Sequence, residues 1–239
     1  MDVSKSMDAM DVAPSRIEKV KNEIKKIIKF LPNERYGIIA FASQAELYTP
    51  LTSDVENLKT MISMLNTETI AESGTNLVDA LKLSLAKTNQ TKYGNESTAT
   101  IIVFSDGEDF ADIDENILND FKRNRVNFFM VGVGTKRGSK IMNKNGELIK
   151  NKNGAEINSK LESEYLKALV AKTNGKYFEF NAQSTPISDI IKNIEEIKGV
   201  KGSQSNNAAN PGNKFHYPLL VAIIIICLDL LFTIRIFNF

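Results

Sequence analysis

Compact strands that are apolar on both faces alternate with amphipathic helices along most of this sequence. Those two features predict an α/β fold class: a doubly wound, mostly parallel sheet covered by helices on both sides. The first helix falls at 15–31, where Ile17, Val20, Ile24, Ile27, Ile28 and Leu31 recur at helical spacing between Pro14 and Pro32. A compact apolar strand follows at 36–42 (YGIIAFA), then a short companion strand at 46–49 and a helix at 54–65 opened by a Ser53/Asp54 cap. A helix at 76–86 precedes a strand at 100–105 (TIIVFS), and a helix at 114–124 precedes a strand at 126–132 (VNFFMVG). A helix at 163–172, a strand at 176–180 and a helix at 188–197 complete the domain. Right-handed crossovers would lay a helix over each parallel pair, so the architecture is Rossmann-like. Residues 141–160 break the pattern. Asn145-Gly146 and Asn153-Gly154 favour tight hairpin turns, so a small β-hairpin insertion is expected there, on the surface and without chemistry of its own.

Thirty basic and twenty-nine acidic residues in 239 give a formal charge of +1, which provides no field to recruit nucleic acid. One domain at 1–198 is the economical division, followed by a flexible Gly/Ser/Asn-rich linker at 199–216 and a transmembrane helix at 217–237. A hydrocarbon core of about 30 Å at 1.5 Å rise per residue needs roughly 20 residues, which 218–237 supplies. Within that segment Asp229 faces a partner helix or sits as an interfacial acid, Arg235 snorkels, and the lone cysteine, Cys227, reads as a buried structural thiol. His216, the single histidine, lies beside Tyr217 at the expected membrane boundary and has no second His or Cys near it for a metal.

At the N-terminus, Asp2, Ser4 and Ser6 place oxygen atoms at every second position of an extended stretch, where they project to one side. Thr75 opens a helix, and Asp106 stands just past the carboxyl end of a buried strand. In open α/β sheets the loops at the carboxyl ends of the strands gather into one crevice, so these residues can meet there. Taken singly, each piece also reads as a helix cap or a turn. Asp8, Asp11, Glu108 and Asp109 read as solvated acids beside the cluster.

In order and type, Asp2-x-Ser4-x-Ser6, Thr75 and Asp106 resemble the metal-ion-dependent adhesion site (MIDAS) of von Willebrand factor A (VWA) domains. The resemblance implies that Ser4, Ser6 and Thr75 offer hydroxyls to a cation, and that Asp2 and Asp106 bind it directly or through water. An octahedral, all-oxygen site that keeps waters suits Mg²⁺ or Mn²⁺, and its open position would accept an acidic side chain of a protein partner. The stretches DVSKSM, DVAPSRIEKVK, YGIIAFASQAELYTPLTSD, SGTNLVDAL, IIVFSDGED and VGVGT extend the likeness, over residues 1 to about 198, to Bat-type aerotolerance proteins. That family implies a bacterial membrane protein with its VWA domain facing the periplasm, other Bat-type proteins and a MoxR-type AAA+ ATPase system as partners, and a task in envelope-protein assembly or stress tolerance.

In this fold the signature Asp follows the central strand, yet only Met1 precedes Asp2, so an apolar strand is expected upstream. Two rival functions are a surface adhesin for host matrix or receptors and a metal-dependent phosphoesterase. The second is weakened because no histidine lies in the domain to act as general base. Gly132 to Gly138 is glycine-rich, but its spacing fails the dinucleotide fingerprint and reads as a strand-ending turn.

Overall fold

The structure, a computed structural model, describes residues 1–72, 74–90, 99–108, 115–124, 126–142, 146–151, 153–181 and 184–205. The chain divides into a compact unit, Met1–Ile194, and a unit Glu195–Phe239 that is described only for its helical residues up to Ser205.

In chain order, a short 3-10 turn at Lys5–Asp8 is followed by α1 (Arg16–Phe30), β1 (Tyr36–Phe41), β2 (Ala45–Thr52), α2 (Val55–Met64), α3 (Leu77–Gln90) and β3 (Thr100–Ser105). Then come α4 (Glu115–Arg123), β4 (Asn127–Val133), β5 (Ser139–Lys140), β6 (Asn158–Ser159), α5 (Ser163–Thr173), β7 (Lys176–Phe180) and α6 (Ile187–Ser205). Local chemistry accounts for several boundaries. The Ser15 hydroxyl accepts from the Glu18 amide at the start of α1, and the Asp54 carboxylate accepts from the Asn57 amide at the start of α2. Asn76 caps α3 through the Asp79 amide, and Asn174 ends α5 in the left-handed region at φ 57°.

β3, β4 and β7 form a parallel sheet in the order β3-β4-β7, while β1 pairs antiparallel with β2. Met1–Val3 join the two at their carboxyl ends. The Phe41 amide donates to the Met1 carbonyl and the Val3 amide to the Phe41 carbonyl on one side; on the other, the Asp2 amide donates to the Phe104 carbonyl. The Asp2–Phe41 pairing is parallel. The Met1 α-ammonium donates to the Ile39 carbonyl, and its burial lowers its pKa to about 5.

Strand alternation assigns the two faces. Ile101 and Val103 of β3 and Phe128 and Met130 of β4 pack with Leu77, Leu81, Leu118, Phe121, Leu166 and Val170 of α3, α4 and α5. The alternate residues Phe104, Phe129, Val131 and Val133 are buried as well, on the opposite face. A sheet apolar on both sides is what the predicted class requires.

Residues 139–160 form the expected β insertion. β5 pairs antiparallel with β6, Met142 with Leu148 and Lys150 with Glu156, and Gly146 and Gly154 take φ near +79° and +78° at the turns. Three boundaries differ most from expectation. α3 runs to Gln90, four residues past 86. β2 extends three residues beyond 46–49, and α6 runs through 199–205, where the sequence predicts the start of a linker. Once a helix is nucleated, each further residue adds a hydrogen bond, so α6 extends into Gly- and Ser-containing sequence. Among the described residues no helix is long and apolar enough to cross a membrane, and the predicted span 217–237, with Cys227, Asp229 and Arg235, lies outside them, as does His216.

Candidate metal centre

The pairing of Met1–Val3 with Phe41 and Phe104 fixes where the site forms, because it sets Asp2 beside the carboxyl end of β3, from which Asp106 emerges. Both carboxylates are completely buried. Asp2 accepts from the Ser4 amide through Oδ1 at 2.9 Å and from the Ser105 hydroxyl through Oδ2 at 2.6 Å. The Ser4 and Ser6 hydroxyls lie 2.9 Å apart, held by the Lys5–Asp8 turn, and Ser6 works with Arg16 to favour the ionised form of Asp106 against its burial.

Burial, then the charge of Asp106, pushes the Asp2 pKa up to about 7 against the pull of its hydrogen bonds. Burial likewise raises Asp106, although Arg16 opposes it. Two acids that resist ionising side by side form a site of negative potential that a cation would relieve.

Thr75 sits half-buried in the loop before α3, which is pinned to the end of β1 by the Asn76 amide donating to the Ala42 carbonyl at 2.6 Å. That placement brings Thr75 to the same end of the sheet as Asp2. Among the described residues, no hydrogen bond ties it to the other four predicted ligands. Asn76, rather than Thr75, caps the helix.

Arg16, fully buried at the first turn of α1, is the largest feature that the sequence reading missed. Its Nε and Nη2 donate to the two oxygens of Asp11 at 2.8 and 2.9 Å, and its Nη1 donates to Asp106 Oδ2 at 2.9 Å and to Ser159 Oγ at 2.6 Å. Asp11 also accepts from the Thr135 amide and hydroxyl at 2.8 and 2.9 Å. Burial works against its ionisation, but the hydrogen bonds and charge of Arg16, with those of Thr135, hold Asp11 below the usual carboxylate range. Asp11 is therefore an ion-pair partner in the interior and not a solvated acid.

Glu108 is half-buried, with its pKa raised chiefly by burial, and it accepts from the Lys160 amide. Asp8 accepts from the Thr67 hydroxyl, and Asp109 lies outside the described residues. The β insertion, expected to carry no chemistry, contributes Ser159 to the cluster. Ser105, whose hydroxyl bonds Asp2, was also passed over.

The Gly132–Gly138 turn wraps this arrangement. Gly134 has φ +125°, and a Cβ there would lie 2.8 Å from Arg16 Cζ. Gly134→Ala is expected to lose ~1–3 kcal/mol through backbone strain and displacement of Arg16. Thermal denaturation checks this, and an unchanged midpoint would contradict it.

Among the described residues no group of three His, Cys, Asp or Glu gathers as a metal site; the oxygen set is instead two carboxylates with hydroxyls. Arg16 pairs with Asp11 and Asp106, and the buried Asp2 adds a further carboxyl group beside Asp106, so acids outnumber the one guanidinium and a bound cation would be favoured. Hard oxygens in a set that includes neutral hydroxyls fit Mg²⁺ or Mn²⁺ better than a thiophilic ion.

Residues 1–108 match the family model of the von Willebrand factor type A domain. A UPF0353 protein of Mycobacterium sp. (strain KMS) is 32% identical over 112 residues, 46% of this chain, and the match spans only 33% of that relative's length. Among solved structures, BatB of Bacteroides thetaiotaomicron superposes with a TM-score of 0.77 at 24% identity, covering 83% of this chain and 96% of that one. An aerotolerance-related membrane protein of Bacteroides fragilis gives a TM-score of 0.72 at 25% identity, covering 82% and 94%. Proximal thread matrix protein 1 of the mussel byssus, with a zinc-occupied MIDAS motif, gives 0.52 at 13% identity over 80% and 44%. Residues 1–108 thus match the von Willebrand factor type A domain model, and the chain has that α/β fold with Bat-type, aerotolerance-related proteins among its structural neighbours.

Proposed function

We propose that the domain binds one divalent cation, Mg²⁺ or Mn²⁺, at Asp2, Ser4, Ser6, Thr75 and Asp106, and uses it to hold an acidic side chain of a partner protein. The observation that carries this reading is the pair of fully buried carboxylates, Asp2 and Asp106, each with its pKa raised, meeting the Ser4 and Ser6 hydroxyls at the carboxyl end of the sheet. When bound, the cation supplies Lewis acidity and an exchangeable position for a carboxylate. The chain's own part is to fix the oxygens. Ser105 and the Ser4 amide orient Asp2, Arg16 orients Asp106, and the short turn at Lys5–Asp8 presents the two serines. The role is partner binding rather than catalysis. In support, the mussel neighbour holds zinc at its own motif of this kind.

The sequence resemblance to Bat-type proteins extends the proposal to a membrane-anchored, periplasm-facing protein that works in envelope assembly or stress tolerance with other Bat-type proteins and a MoxR-type AAA+ ATPase; in support of the membrane and stress parts, the Bacteroides fragilis neighbour is an aerotolerance-related membrane protein. Residues 217–237 would be the anchor.

Titration calorimetry with Mg²⁺ and Mn²⁺ tests the site. One cation per chain is expected. Asp2→Asn and Asp106→Asn should abolish measurable binding, and Thr75→Ala should weaken it about 10-fold or more. Affinity unchanged in all three variants refutes the assignment. Partner recovery that survives EDTA would move the binding face away from this crevice.

A further inference from the structure

The guanidinium of Arg16 does more than neutralise Asp106. Its donors are spent on four segments: Asp11 in the N-terminal loop, the Ser6 carbonyl, the Asp106 carboxylate, and both the hydroxyl and the carbonyl of Ser159 in β6. Asp11 in turn holds Thr135 at the root of the β insertion. The far end of the insertion is tied to the same loop. The Glu162 amide donates to the Asp106 carbonyl at 2.8 Å, the Lys160 amide to Glu108 Oε1 at 2.6 Å, and the Leu161 amide to the Thr135 carbonyl at 3.0 Å. A guanidinium is a planar fork, so its bonds to Asp106 and to Ser159 share one orientation and cannot be adjusted independently.

We infer that Arg16 is a positioning residue that couples the Asp106 carboxylate to the β insertion at 139–160, so that engaging Asp106 and ordering the insertion are one equilibrium. The inference rests on the cation reading for its biological use: the insertion becomes part of the partner-binding face, set by whether the site is filled. A cationic side chain cannot itself ligate a cation, so Arg16 acts through Asp106. The coupling is reciprocal: the factor by which a cation at Asp106 shifts the opening of the insertion is the factor by which opening the insertion shifts cation affinity.

Amide hydrogen exchange of residues 157–162 in the full chain reads this directly, with EDTA, with Mg²⁺, and in the metal-free Asp106→Asn variant. In the wild type, Mg²⁺ should change protection of these amides at least about fivefold, and metal-free Asp106→Asn should change it by a similar factor. Ser159→Ala, which keeps Arg16, its pairs with both acids and its bond to the Ser159 carbonyl, should still bind Mg²⁺ while the Mg²⁺-dependent change in exchange becomes smaller. Arg16→Lys, which keeps the charge and loses the fork, should uncouple in the same way.

Exchange at 157–162 that ignores Asp106→Asn overturns the inference, as does an Arg16→Lys protein that responds to Mg²⁺ like the wild type. If Mg²⁺ fails to bind yet Asp106→Asn still alters these amides, the inference stands and the cation reading falls.

Discussion

Arg16→Met should lower the urea stability of the protein by about 3–5 kcal/mol, because the substitution strands two acids that, among the described residues, pair with no other cation. Arg16 has no solvent exposure and pairs with Asp11 at 2.8 Å and with Asp106 at 2.9 Å, where side-chain exposure is 6% and 0%. Methionine of similar reach fills the space but leaves those carboxylates to be protonated or hydrated in the interior. The surface pairs of the same protein provide the contrast. Lys59–Glu56 and Lys167–Glu164 join exposed side chains one helical turn apart, and Lys59→Met should change stability by less than about 0.5 kcal/mol. Saturating Mg²⁺ should restore part of what Arg16→Met loses, since a divalent cation supplies the missing positive charge near Asp106. A loss no larger than that of Lys59→Met would show that Asp11 and Asp106 are not held as ions by Arg16.

The second large effect is on pH dependence, and its sign follows from Asp2. The folded pKa of about 7 lies above the ordinary value of 3.8, so the metal-free native state keeps a proton that the unfolded chain releases. Stability contributed by protonated Asp2 is therefore present at low pH and lost as pH rises from about 4 to 7. The Met1 amino group, lowered from 8.0 to about 5, works in the opposite sense between about 5 and 8 and masks part of the change. Asp2→Asn separates the two. Relative to the wild type, the metal-free variant should gain on the order of 3–5 kcal/mol as pH rises across that window.

A cation must displace the same proton. Mg²⁺ affinity should therefore fall by roughly 50-fold between pH 7 and pH 5, and the Mg²⁺-dependent rise in unfolding temperature should shrink with it. A cation effect as large at pH 5 as at pH 7 would mean that Asp2 is not in the site.

The architecture was legible because strand and helix leave different periods in sequence. YGIIAFA, TIIVFS and VNFFMVG have no polar face; β3 and β4 appear in the fold as strands buried on both sides, and β1 is buried on both sides at its carboxyl end. The two Asn-Gly pairs announced the β insertion through their turn chemistry. Asp2, Ser4, Ser6 and Asp106 were legible through their spacing and their place at strand ends.

Arg16, Asp11 and Ser159 were not. A charged residue in the first turn of an amphipathic helix ordinarily faces water, and only tertiary structure brings Ser159 to a side chain 143 positions earlier. One signal was nevertheless present. A cation at Arg16 faces the positive end of its own helix dipole, an unfavourable position unless acids surround it, and Asp11 lay five residues away. The role of Ser105 was hidden for a related reason: in TIIVFSD it reads as the polar end of a strand, and its bond to Asp2 exists only because Met1–Val3 lie between β1 and β3.

The central claim is that the oxygens of Asp2, Ser4, Ser6, Thr75 and Asp106 enclose a single divalent cation. Anomalous diffraction from crystals grown with Mn²⁺ tests it most directly. One manganese peak per chain is predicted, about 2.1 Å from the serine hydroxyl oxygens, with a solvent or carboxylate oxygen from outside the chain completing the shell. A manganese-saturated crystal with no peak in that crevice, the Ser4 and Ser6 hydroxyls still bonded to each other and Asp2 still capped by Ser105, would contradict it.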